Sequence, residues 1–213
     1  MATATSSRPL RRWALVAALA LVSAATVAAC GSSGSSGTSS ESSEASGPAA
    51  PANPAAFAWV HPAPTPSGWK TRPLPSGDAS LSYPPGWRLI KTDPGTVTAA
   101  RKSGDTIVGY LNITPQSGDE TLANWASFRP AHNQEEGDHA VIPMASATGL
   151  RFRNGQGSCV KDGYTTSSNA RYTEIACIVR GPKATTVIVG AAPPTLWSRF
   201  SPTLQRAIST FAA

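Results

Sequence analysis

The chain has 213 residues, with 18 Lys and Arg against 12 Asp and Glu, and only three cysteines. No basic run exceeds a pair such as Arg11-Arg12, so the positive balance is not the footprint of a nucleic-acid binder. Once Cys30 is set apart, as argued below, two cysteines are too few for a structural zinc site.

The first segment reads as an export leader. Arg8, Arg11 and Arg12 precede an uncharged stretch from Trp13 to Ala25 that is mostly Ala, Leu and Val. A basic start, an apolar middle and small residues at the end are what a secretory signal needs. The apolar run is shorter than the roughly 20 residues a bilayer span requires. It closes on Val27-Ala28-Ala29-Cys30, which resembles the lipobox of bacterial lipoproteins. The resemblance implies cleavage before Cys30 and acylation of its thiol. Two acyl chains give stable anchoring where one gives only marginal binding. The expectation is therefore a leader over 1–29 and a mature protein held at the outer face of the cell membrane. The alternative is an ordinary cleaved signal with Cys30 incidental. Arg11-Arg12 leaves the export route, general secretory or twin-arginine, open.

Residues 30–57 read as a tether. The stretch from Gly31 is rich in Ser and Gly, then carries Pro48, Pro51 and Pro54, with no apolar periodicity. Such a segment cannot bury enough surface to offset the entropy of ordering it. Phe57, Trp59 and Val60 follow and could lie along the domain as a latch. Residues 58–213 are then one domain, long enough to close its own core. Three of the cations fall in the leader and two of the acids, Glu41 and Glu44, in the tether. The domain is left mildly basic beside an anionic membrane. With Cys30 taken by lipid, Cys159 and Cys177 remain as a pair, and outside the cytoplasm a disulfide is the default.

Most of the domain reads as strands. Ala79–Tyr83, Trp87–Lys91, Thr96–Lys102 and Thr106–Thr114 are short runs separated by Pro84-Pro85-Gly86, Asp93-Pro94-Gly95 and Ser103-Gly104-Asp105, the pattern of an antiparallel meander. Asp119–Arg129 places Leu122, Trp125, Ala126 and Arg129 at helical spacing, and Pro130 should end or kink that helix. A polar loop over 131–139 follows. Val141 and Ile142 begin a strand that Pro143 confines to an edge or an end, and Leu150–Arg153 alternates up to a turn at Asn154-Gly155. Ser158–Thr165 and Arg171–Val179 form a hairpin. Setting Cys159 opposite Cys177 pairs Thr165 with Arg171 and leaves a loop over 166–170. Thr185–Ala191 is the last strand. A closing helix is capped by Ser201 with Pro202 in its first turn, and Leu204, Ala207, Ile208 and Phe211 share one face. The fold class is α+β: an antiparallel β-sheet with a mid-chain helix and a C-terminal helix packed on it.

At Leu81-Ser82-Tyr83-Pro84-Pro85-Gly86-Trp87, the strand ending in Tyr-Pro-x-Gly-Trp and the element order after it resemble the PsbP-like family, and within it the actinobacterial lipoproteins. The resemblance covers about Trp69 to Ala213. It implies a non-catalytic accessory or binding protein, with some relatives associated with envelope lipid handling, and it maps no ligand residues onto this chain.

Catalytic signals are weak. Asn154-Gly155-Gln156-Gly157-Ser158 lacks the G-x-S-x-G elbow of a nucleophilic serine. His132, Glu135, Glu136, Asp138 and His139 form a dense polar cluster, but Pro130 and Gly137 argue against the continuous helix that would align them as metal ligands. No phosphate loop is present. Asn112-Ile113-Thr114 is a glycosylation sequon by letter, inside a strand. Of Trp59, Trp69, Trp87, Trp125 and Trp197, most belong to the core and one or two could line a cleft between sheet and helix. The expected role is a non-enzymatic, membrane-anchored binding module for an envelope protein, lipid or glycan, with no cofactor, metal or nucleic acid. The competing role is an extracytoplasmic hydrolase or metal-dependent enzyme built on the His132 to His139 cluster.

Overall fold

The structure, a computed structural model, describes residues 48–213. The leader, Cys30 and residues 31–47 of the tether lie outside the described residues.

Nine strands and two helices form the domain. β1 (Lys70–Pro73) and β2 (Ser80–Tyr83) make a small antiparallel ribbon. β3 (Arg88–Ile90), β4 (Val97–Ser103) and β5 (Thr106–Pro115) form a meander. After helix α1 (Trp125–Glu135), β6 (His139–Phe152), β7 (Gly155–Thr165), β8 (Arg171–Arg180) and β9 (Thr185–Ala192) form a second. Pairing of β5 with β9 joins the two meanders into one antiparallel sheet, ordered β3-β4-β5-β9-β8-β7-β6. Helix α2 (Trp197–Thr210) closes the chain.

The strands alternate, so each sheet face has its own apolar set. One face carries Leu111, Ile113, Cys177 and Ile188 against α2, whose Leu204, Ala207 and Ile208 are fully buried together with Phe211 at its C-cap. Burying each large apolar side chain stabilises the fold by about 1.5–3 kcal/mol. The other face carries Val160, Ile178, Val187 and Val189 against Trp125 of α1, whose indole N–H donates to the Ala176 carbonyl at 2.9 Å. Cys159 and Cys177 sit directly opposite and are joined as a disulfide, and the hairpin around them has Thr165 against Arg171 with 166–170 as its loop.

The mid-chain helix differs from the expected Asp119–Arg129. Its polar beginning is spent on turns: the Glu120 carboxylate accepts from the Ser117 and Gly118 amides, and Asn124 Oδ1 accepts from the Thr121 amide. The helix starts at Trp125 and runs through Pro130 to Glu135. A proline there cannot donate to the carbonyl four residues back, that of Ala126. The Ala50 amide takes its place, donating to that oxygen at 2.8 Å.

The chain is therefore packed well before residue 58. Ala50 is buried, Phe57 is 1% exposed, and residues 50–53 bond to Ser146 of β6 through both backbone and side chain. The Pro-bearing half of the expected tether belongs to the domain, because β6 offers it an unpaired edge. The Phe57 latch is seated in the core. Pro143 does lie on an edge strand, whose register against β7 shifts three times.

Two turn assignments move as well. The β6–β7 turn is Arg153-Asn154, one residue earlier than expected, with Asn154 at φ 63°. Helix α2 begins at Trp197, not Ser201, preceded by a short turn of 3-10 helix at Pro194–Leu196. Pro202 sits inside it, and the carbonyl it leaves free belongs to Ser198, which is exposed and can bond to solvent. No helix of the described residues is long and apolar enough to cross a membrane.

Candidate functional site

Helix α1 lies over the β6–β7 end of its sheet face and reaches β8 through Trp125 and Arg129. Over β4 and β5 the face is open, leaving a cleft of about 600 Å³ with α1 as one wall. Its floor is hydroxyl and amide: Thr98 from β4, and Tyr110, Asn112 and Thr114 from β5. These side chains point the same way because they alternate with the core residues Ala99, Leu111 and Ile113. Asn112 Nδ2 donates to Thr98 Oγ1 at 2.8 Å, and Thr98 Oγ1 shares a hydrogen bond with Thr92 Oγ1 at 2.8 Å. The Thr92–Thr96 loop forms the rim, and Val187 and Val189 supply an apolar strip.

The α1 wall presents Arg129, His132 and Glu136, one helical turn apart. The expectation that Pro130 breaks this segment into a loop is corrected by the helix running to Glu135. His132 Nε2 lies 3.3 Å from Glu136 Oε1. Donation of a hydrogen bond to the Glu136 carboxylate raises the His132 pKa, and the same bond lowers that of Glu136. Among the described residues no three His, Cys, Asp or Glu side chains converge on a point where they could hold a metal ion.

Behind Arg129 is a buried polar cluster. Arg129 grips Glu174 of β8 in a fork, Nε to Oε1 at 2.6 Å and Nη2 to Oε2 at 3.0 Å. Burial opposes the arginine's charge, but Glu174 outweighs it and holds the pKa above its ordinary value. Asp162 of β7 stands opposite Glu174 in the register, and neither is exposed. One guanidinium cannot neutralise two carboxylates. Burial and the Glu174 charge push Asp162 up to about 8. Asn133 Nδ2 donates to Asp162 Oδ2 at 3.3 Å, while Asn133 Oδ1 and Asp162 Oδ1 lack partners. A proton on Asp162 supplies the donor this pair of acceptors needs. The Tyr110 and Tyr164 hydroxyls meet at 2.7 Å beside them, and burial raises both phenols.

Arg129, Asp162 and Glu174 were not singled out from the sequence. A signal was present: the Cys159–Cys177 register sets Asp162 against Glu174, and two facing acids demand a cation. Other expected candidates are resolved into structure. Ser158 is buried, its hydroxyl donating to the Leu122 carbonyl at 2.6 Å, so it ties the turn before α1 to β7. Trp87 and Trp125 are core, Trp59, Trp69 and Trp197 pack on it, and none of the five lines this cleft. Asn112 of the sequon faces the cleft and is bonded within it.

No family model matches the sequence, and no curated protein sequence does. Similarity is found among solved structures. The cyanobacterial PsbP protein of Synechocystis superposes with a TM-score of 0.50 at 14% identity, covering 70% of this chain and 94% of that one. A Bacteroides thetaiotaomicron protein gives 0.46 at 14% identity, over 68% of this chain and 48% of that one. LpqN of Mycobacterium tuberculosis, described as involved in cell envelope biogenesis, gives 0.39 at 13% identity, over 68% and 90%. The Synechocystis match, over 70% of the chain, shows a PsbP-like fold.

Proposed function

We propose that the protein is a lipoprotein anchored through Cys30 at the outer face of the cell membrane, and that its domain is a non-catalytic binding module for an envelope ligand. The observation that carries the binding role is the open cleft floored by Thr98, Asn112 and Thr114. A floor of hydroxyls and an amide, flanked by the apolar side chains of Ile90, Ile107, Val187 and Val189, suits a glycan or a polar lipid headgroup. An acyl chain would want an enclosed apolar tunnel instead. The lipobox-like Val27-Ala28-Ala29-Cys30 supports the anchor.

Native mass spectrometry of the protein purified from its host tests the binding role. An adduct of glycan or lipid mass that disappears in Asn112→Ala supports it. Adduct-free protein, or an adduct indifferent to Asn112, refutes the cleft as the site.

A further inference from the structure

We propose that the β3–β4 edge of the sheet docks onto an anionic lipid bilayer. Acids gather around α1, although the exposed cations Arg171, Arg180 and Lys183 also lie on that half of the sheet. Glu120, Glu135, Glu136, Asp138, Asp162 and Glu174 lie on α1, its flanking turns or the strands beneath it. At the far edge of the sheet, Arg88 of β3 and Arg101 and Lys102 of β4 line one surface groove. Arg101 and Lys102 continue into a second groove with Arg199 of α2. All four cations are exposed, and none has a carboxylate within 4.0 Å among the described residues. Asp93 and Asp105 are the acids in the adjoining turns. Arg101 is pinned by its bond to the Gly86 carbonyl at 3.0 Å, and Arg199 lies over the Phe200 ring, so part of the patch is preorganised.

Leu89 sits among these cations on the edge strand and is 44% exposed. Exposed basic side chains around a protruding apolar one fit an anionic interface: the cations meet headgroup phosphates and the leucine enters the acyl boundary. Edge-strand cations also deter edge-to-edge pairing, but that role needs no exposed leucine between them.

The tether is long enough. Ala50 enters beside α1 and β6, at the opposite edge of the sheet. Six strand spacings put the two edges about 29 Å apart. Residues 31–47 can span up to about 60 Å when extended, so a chain anchored at Cys30 reaches with the β3 edge facing the bilayer. The proposal rests on the membrane-held reading, but its test omits the anchor, so the two can fail separately.

Residues 48–213, which close their own core, are mixed with phosphatidylcholine vesicles with and without phosphatidylglycerol, and bound protein is measured by co-sedimentation. The domain binds only the anionic vesicles, and salt releases most of it. Arg88→Gln, Lys102→Gln and Arg199→Gln together weaken binding about 100-fold, at about 1 kcal/mol per cation. Leu89→Gln lowers the fraction that survives high salt. A charge-matched triple at the exposed Arg171, Arg180 and Lys183 leaves most of the binding intact, and melting curves confirm that each variant is folded. No binding to anionic vesicles overturns the proposal, and so does equal loss in the two triples, which would reduce the effect to net charge.

Discussion

The Ala50 amide donates to the Ala126 carbonyl, which Pro130 leaves without its helical partner. A residue within the expected tether thus completes the middle of α1. A chain begun at residue 58 loses that bond, the Ser146 contacts and the buried Phe57, and should be less stable by several kcal/mol. Pro130→Ala restores the helical donor, so it should stabilise the truncated chain more than the longer one, by about 1 kcal/mol. Urea denaturation of the four proteins as a double-mutant cycle checks this; equal effects of Pro130→Ala in both backgrounds would disconnect the two residues.

The Arg129–Glu174 pair is buried enough that its members cannot be removed singly. Glu174→Gln should cost about 3–5 kcal/mol, since it strands the guanidinium, and Arg129→Met should cost a similar amount. The double replacement Arg129→Met with Glu174→Leu should be far milder than the sum. Additive losses in thermal unfolding would contradict the pairing.

Asp162 makes stability depend on pH. An unfolded aspartate releases its proton near 3.9, whereas the folded one holds it to about 8. Between those values the folded state binds more protons, so stability should fall as pH rises and level off above about 8. Glu174, Arg129 and Asp138 are the charged groups that set this behaviour. Asp162→Asn, which mimics the neutral acid, should flatten the decline. An unchanged slope in the urea midpoint of that variant would place the proton elsewhere.

The Cys159–Cys177 bond spans 18 residues of sequence in the centre of the sheet. Its replacement by two alanines should cost about 3 kcal/mol through the unfolded chain, plus whatever cavity remains. Hydrogen exchange in β7 and β8 should rise with that loss; protection unchanged from the parent would mean the strands hold without it.

Where local pattern suffices, the sequence was legible. Alternation and turn residues place β2 to β5, and the cysteine pair sets the β7–β8 register residue for residue. β1 was invisible because all four of its residues are exposed and none marks a face. The start of α1 was misread because Asp119, Glu120 and Asn124 imitate a helical first turn while bonding turns of their own. Its passage through Pro130 depends on Ala50, a distant residue no local window contains. The candidate site is dispersed in the same way. Its floor comes from β4 and β5, its wall from α1, and its buried charges from β7 and β8. The sequence marked His132 and Glu136 of the wall as part of a polar cluster, and of the buried charges only the facing acids left a trace, through the cysteine register.

Whether this domain works at a membrane surface turns on the proposed anchor at Cys30. Intact mass spectrometry of the protein from host membranes, beside fractionation of Cys30→Ala, tests it most directly. A chain beginning at Cys30 with the added mass of a diacylglycerol is expected, and with it a Cys30→Ala protein that is unprocessed or released. An unlipidated chain cut elsewhere, or Cys30→Ala processed and retained like the parent, would contradict it.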